Sequence, residues 1–316
     1  MTKNAKLLLA PIACSMLIGV ASTAAMAADY PNRPVRFIVP WPPGDLEDVL
    51  TRKIAEEMSK ETGVPASVVN KPGGGGVLGA TTVAQSRPDG SVIGSFVVDL
   101  VTSQVLSGNA PYSKDDFEPV GIFLDYPFVL AAKADAPYNT LAELAEYSKS
   151  NDISLGHFGY QALPTALTFK AADQLGIRIA ADSAFNELNC ATLANGDADI
   201  TNTTTQLILP CLDSGDVKIL TSYTFNRLVT APDVPTLNEV TGIPQTLWNG
   251  LFVKKGTPRE VKEKIASIAQ NALQSPEIIQ LQETTGAGVY WTNMDDAEKV
   301  IELDYENAKK LAEANQ

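Results

Sequence analysis

The chain has 316 residues, 45% of them hydrophobic, with 37 Asp and Glu against 24 Lys and Arg and a formal net charge of −13. That length and apolar content suffice for two lobes of ordinary size. The acidic balance argues against nucleic acid and against anionic membrane surfaces as partners.

The first residues read as a targeting segment. Lys3 and Lys6 make a positive start, Leu7 to Val20 is largely apolar, and Ala25-Met26-Ala27 supplies small residues for cleavage before Ala28. The apolar run is shorter than the roughly 20 residues of a membrane span. Residues 1–27 are therefore expected to be a signal peptide, and the protein periplasmic. Cys14 raises a lipoprotein reading, but Pro11-Ile12-Ala13 is a poor lipidation context.

Strand and helix patterns then alternate. Val35–Val39 is β-branched and aromatic, as a strand requires. The stretch P-W-P-P-G-D-L-E-D, Pro40 to Asp48, follows it. Prolines stiffen this turn, and Gly44 lets backbone approach a ligand. A helix starting near Asp45 would point free N–H groups into the space above the strand, the chemistry of a small-molecule receptor loop. That helix is predicted to run to Thr62, with a strand at Ala66–Val69 and a helix at Val77–Ser86. Pro88-Asp89-Gly90 is a turn, and Ser91–Val98 a strand. Apolar runs follow at Phe117–Leu124 and Phe128–Ala132. Asn139-Thr140 with Glu143 opens a helix over Leu141–Ser150. A strand is expected at Ile153–Gly156 and a helix at Pro164–Leu175. Helices at Asn189–Asn195 and Leu207–Ser214 flank a strand at Asp199–Asn202. Strands at Val217–Ser222 and Leu251–Val253 come next. Helices over Pro258–Leu273, Pro276–Thr284 and Met294–Ala314 close the chain.

Such alternation predicts an α/β fold with mostly parallel sheets covered by helices. Segments near Tyr126–Leu130 and Trp248–Val253 look like crossings between lobes. They would place 28–127 plus 250–316 in one lobe and 128–249 in the other, with a ligand cleft between. Cys190 and Cys211 lie on neighbouring helical segments. In an exported chain they can form a disulfide closing a loop of about 20 residues; two small buried thiols are the other reading.

Several ordered stretches carry a family resemblance. They are Tyr30-Pro31 to Asp48, Asn70-Lys71-Pro72-Gly73 to Gly79-Ala80, Pro88-Asp89-Gly90, and Pro111-Tyr112 to Asp116-Phe117-Glu118-Pro119-Val120. Ala231-Pro232-Asp233-Val234-Pro235-Thr236-Leu237 and Trp248-Asn249-Gly250-Leu251-Phe252 to Gly256-Thr257-Pro258 complete the set. With them the chain resembles the Bug-type substrate-binding receptors of tripartite tricarboxylate transporters. The resemblance implies a two-lobe periplasmic binding protein, a type II-like Venus flytrap that closes on a small organic acid and delivers it to membrane permease subunits. It implies that one ligand carboxylate sits on the first loop, and that backbone and hydroxyl groups of the second lobe hold another polar end.

This chain departs from that pattern. Asp45 and Glu47 replace a second glycine and small residues, while Asp48 is kept. The second-lobe turn reads Gly156-His157-Phe158-Gly159-Tyr160-Gln161-Ala162 instead of being rich in Gly, Ser and Thr. Asp99 stands where a small hydroxyl residue is common, Phe185-Asn186-Glu187 where a small polar turn follows an aromatic, and Thr203-Thr204 where Asp-Asn is frequent. The expected ligand-binding positions are Trp41, Pro43, Gly44, Asp45, Glu47, Asp48, Gly74, Gly75, Asp99, Tyr126, His157, Phe158, Gly159, Tyr160, Ala162, Phe185 and Thr203. Asp45 and Glu47 leave two readings: they cap the helix facing outward, or they make an acidic, aromatic cleft suited to a cationic, zwitterionic or neutral ring solute. His157 is the single histidine, placed to donate to a carboxylate or to sense pH.

A rival signal is Gly74-Gly75-Gly76-Val77-Leu78-Gly79, a G-x-G-x-x-G run with Asp99 about 20 residues beyond it. On paper this is a dinucleotide fingerprint and would suit an NAD-dependent oxidoreductase. The export signal and the ordered matches set it aside. Asp45, Glu47 and Asp48 lack the spacing of a calcium loop, and no zinc spacing or nucleophile elbow is present. The expectation is a monomeric receptor without catalysis, cofactor or metal.

Overall fold

A computed structural model describes residues 30–243 and 247–314. The expected signal peptide at 1–27 and Cys14 lie outside the described residues.

In chain order the strands are β1 (Val35–Val39), β2 (Ala66–Asn70), β3 (Val92–Val97), β4 (Phe117–Asp125), β5 (Phe128–Lys133) and β6 (Ile153–His157). Then come β7 (Ile179–Ala184), β8 (Ile200–Thr204), β9 (Val217–Ser222), β10 (Trp248–Lys254) and β11 (Gly288–Thr292). They form a six-stranded sheet, β11-β4-β10-β3-β1-β2, and a five-stranded sheet, β7-β6-β8-β5-β9. Both are covered by helices, giving a two-lobe α/β architecture.

The strand directions correct the expectation of mostly parallel sheets: both sheets are mixed. β1 is parallel to β2 and β3, and β6 to β7 and β8. Antiparallel pairing comes from the strands beside the crossings. β10 runs against β3 and β4, and β5 against β8 and β9. A chain that leaves one sheet by β4 and returns by β10 must lay the returning strand head to tail beside the departing one. Trp248 and Asn249 already pair in the first sheet, opposite Asp125 and Leu124, just before the expected boundary at 250. The crossings touch, because the Tyr126 N–H donates to the Leu247 carbonyl at 2.7 Å.

Periodicity built the helix Leu46–Thr62. Leu46, Leu50, Ile54 and Met58 recur every four residues and are fully buried. Each such side chain contributes about 1.5–3 kcal/mol on burial. Gly63, at φ 70°, ends the helix in the left-handed region that favours glycine. Helix Arg259–Leu273 packs against it. Inside the first sheet, Phe96 stacks on Phe252 with centroids 5.3 Å apart. Beside the second sheet, on helices Cys190–Ala194 and Thr205–Asp213, Cys190 and Cys211 are bridged, Cα to Cα 5.8 Å, the first of the two readings of the sequence.

Candidate functional site

The loop after β1 opens onto the space between the sheets. Asp45 caps helix Leu46–Thr62 by accepting the Leu46 N–H at 2.8 Å. The same oxygen accepts from the Thr204 hydroxyl, at the end of β8, at 2.8 Å. One carboxyl thus ties the first sheet's loop to the second sheet. Glu47, only 1% exposed, accepts from the Tyr126 hydroxyl on the crossing segment. Asp48 turns back into the loop. It accepts the Gly44 N–H at 3.0 Å, the Asn70 amide at 2.8 Å and two Arg52 contacts at 2.9 Å. These bonds hold the turn and leave Asp48 no free oxygen for a solute.

A cavity of about 640 Å³, counting its part open to solvent, lies beside this loop. Trp41, Pro42, Pro43, Asp45 and Glu47 supply one wall, and Val97, Val98 and Asp99 at the end of β3 another. Tyr126, Phe128, Leu247 and Trp248 come from the crossings. Phe158, Ala162, Pro164, Asn186, Glu187 and Leu207 come from the second lobe. Three of the rings are linked edge to face: Trp41 to Phe158 at 6.4 Å and Phe128 to Phe158 at 6.1 Å. Tyr126 lies 4.8 Å from Phe128. None of the described lining residues is Lys, Arg or His.

Burial dominates the electrostatics. Asp99 is 5% exposed; its Oδ2 accepts the Leu163 N–H at 2.9 Å, while its Oδ1 has no partner. Loss of water pushes its carboxyl up to about 7. The same cause lifts Asp45 to about 7, against the bonds from Thr204 and Leu46. Glu47 is raised well above the ordinary range, by burial first and by the Asp45 charge second. Asp45 therefore caps its helix while lining the cavity and does not face outward.

Of the positions expected from sequence, Trp41, Pro43, Asp45, Glu47, Asp99, Tyr126, Phe158 and Ala162 line this cavity. Gly74, Gly75, Gly159, Tyr160 and Phe185 line a second recess of about 900 Å³, which shares Phe158, Ala162 and Asn186 with the first. Gly44 stands outside both and uses its φ of 114° to make the turn.

His157 and Thr203 are placed elsewhere for clear reasons. His157 is fully buried, and its Nδ1 accepts the Gly159 N–H at 2.9 Å. Nε2 therefore carries the proton and donates to Asp182 at 3.0 Å. Its donor serves an internal carboxylate, as the brace of the turn. Thr203 donates to the Leu188 carbonyl at 2.5 Å, so its neighbour Thr204 is the one that reaches the cleft. The glycine run serves close packing. A Cβ on Gly75 would sit 2.5 Å from the Gln104 amide, and one on Gly79 2.9 Å from Pro40. Gly79 lets its helix pack against Pro40 of the receptor loop, and Gly75 lets Gln104 close on the turn.

Sequence reasoning does not single out Val97, Phe128, Pro164, Leu207, Leu247 or Trp248. Their signal is position at strand ends and crossings, where the sequence marks the segments but not the side chains that face the cavity. Asn186 and Glu187 immediately follow Phe185, so the sequence points to this loop but weights the residue beside the two that line the cavity.

The family model described as "Tripartite tricarboxylate transporter family receptor" matches residues 50–316. A UPF0065 protein of Bordetella pertussis is 30% identical over 292 residues, 90% of each chain. The structure of periplasmic binding protein BugD is similar with a TM-score of 0.81 at 30% identity, covering 90% of this chain and 98% of that one. MatC from Rhodopseudomonas palustris, with bound malate, has a TM-score of 0.77 at 26% identity over 89% of this chain and 99% of its own. A family match over most of the chain, relatives of nearly equal length and a shared two-lobe architecture agree: the chain belongs to the tripartite tricarboxylate transporter receptor family.

Proposed function

We propose that this receptor captures a small organic solute in the cavity between its lobes and passes it unchanged to membrane components of a tripartite transporter. The observation that carries the reading is the origin of the cavity wall, which draws on both sheets and both crossing segments. A solute filling it touches both lobes at once and so favours their closed arrangement. The lobes are 28–127 plus 250–316 and 128–249, adjusted at Trp248, and the second recess is the mouth of the site. Residues 1–27 direct export to the periplasm. Among the described residues no helix is long and apolar enough to cross a membrane. The bound malate of MatC supports an organic acid as an ordinary solute of this fold.

A thermal-shift screen of small organic solutes, with mass spectrometry of the recovered solute, tests the reading. A hit should return unaltered, and Trp41→Ala should weaken it at least tenfold. A chemically converted solute, or an affinity indifferent to substitutions in the cavity wall, would refute the proposal.

A further inference from the structure

Two helices begin at the edge of the cleft, and one of the protein's own carboxyls already takes the first N–H of each. Asp45 takes the Leu46 N–H of its own helix, and Asp99 reaches from beyond β3 to take the Leu163 N–H of helix Leu163–Leu175 in the other lobe. A solute carboxylate arriving at either end finds that first N–H already taken.

The wall also contains an unanswered acceptor. Asp99 is 5% exposed, lines the cavity, and leaves its buried Oδ1 without any hydrogen bond. Buried carboxylate oxygens are almost always paired, so this one is open to a donor from a bound solute. The protein does not supply it, since Asp45, Glu47 and Glu187 are the other ionisable acids in the wall and no basic side chain stands among the described lining residues. The faces and edges of Trp41, Phe128 and Phe158 enclose the same space, a setting in which a cation is held by ring quadrupoles. Trp41 Nε1, a donor, is unpartnered too, which leaves room for an acceptor group on the same solute.

Resting on the receptor reading above, we infer that the solute enters with a protonated or quaternary nitrogen, lodged between Asp99 and the aromatic wall. A carboxylate on the same molecule is compatible with this at the Trp41 end. A plain di- or tricarboxylate is not.

Calorimetry on the whole exported chain with a matched set of probes decides the matter: benzylammonium, benzoate, benzyl alcohol and the zwitterion 4-(aminomethyl)benzoate, with choline and malate alongside. The amine or the zwitterion should bind at least tenfold more tightly than benzoate or malate. Asp99→Asn should lower that affinity tenfold or more with no loss of melting temperature. Glu187→Gln, on the exposed rim where folding is not at risk, should lower it two- to threefold. Benzoate or malate binding more tightly than every nitrogen-bearing probe overturns the inference. So does an amine affinity unchanged in both variants, or silence from a broad thermal-shift set of organic cations. If acids bind and Trp41→Ala abolishes their binding, the receptor reading stands and the cation assignment alone falls. If a bound solute ignores both Trp41→Ala and Asp99→Asn, the cavity reading itself falls.

Discussion

Asp99 shows how far a single residue can depart from its ordinary chemistry. Its carboxyl titrates at about 7 in the fold against an ordinary value of 3.8. Below about pH 4 both folded and unfolded chains hold the proton. Between about 4 and 7 the unfolded chain loses it first, so folding takes up a proton and stability falls as pH rises, levelling off above 7. Asp45 acts in the same direction over the same window. The solute-free protein should therefore melt at a higher temperature at pH 5 than at pH 8, and Asp99→Asn should flatten that slope by up to roughly 3 kcal/mol. A steeper slope in the variant would contradict the burial of this group. His157 makes the opposite case, a conspicuous residue whose role is internal. Its ring satisfies the Gly159 N–H and donates to Asp182. His157→Ala should cost about 1–3 kcal/mol in chemical denaturation, while changing solute affinity far less than Asp99→Asn does. The residue types at the site can be read from the chain. Which of them are paired internally cannot, because Asp182 reaches His157 only through the β6–β7 pairing.

Elements with a strong local code are the legible ones. Thr140 accepts the Glu143 N–H at 3.1 Å, as the Asn139-Thr140 to Glu143 spacing predicts. Helix Leu46–Thr62 follows its apolar period to the expected residue. Two strands leave no recognisable pattern. β7 reads Ile-Ala-Ala-Asp-Ser-Ala and β11 Gly-Val-Tyr-Trp-Thr, and both are edge strands. An edge strand has one partner and little buried surface, so tertiary pairing, not alternation, holds it in place. The Cys190–Cys211 bridge pins helix Cys190–Ala194 to helix Thr205–Asp213 beneath the cleft. Its sequence separation is 21 residues. Replacing both cysteines by Ser should lower stability by about 3 kcal/mol in denaturant titration. An unchanged midpoint would mean that the unfolded chain is already restrained there.

At the scale of the molecule, a few bonds join the lobes across the cleft. Thr204 donates to Asp45, Leu163 N–H to Asp99, and Ser103 to the Gln161 carbonyl at 2.7 Å. These contacts draw the halves together, and the crossings at Tyr126 and Leu247 are where the backbone must turn for them to part. Thr204→Val removes one such bond without changing side-chain volume much. It should weaken binding of any solute that needs the closed form by about three- to tenfold, in line with roughly 1 kcal/mol for a hydrogen bond. The same variant should raise the radius of gyration of the solute-free protein in small-angle scattering. Equal radii and equal affinities would show that the bond has no part in closure. The chain by itself determined the α/β alternation, the receptor loop and its family, because those depend on local periodicity and on short motifs read in order. Only the tertiary structure decided the mixed strand directions, the partners of His157 and Thr203, and the joining of Asp45, Glu47, Asp99 and Glu187 around one aromatic space. Those features depend on contacts between residues far apart in the chain, and no window of sequence contains both halves of such a contact.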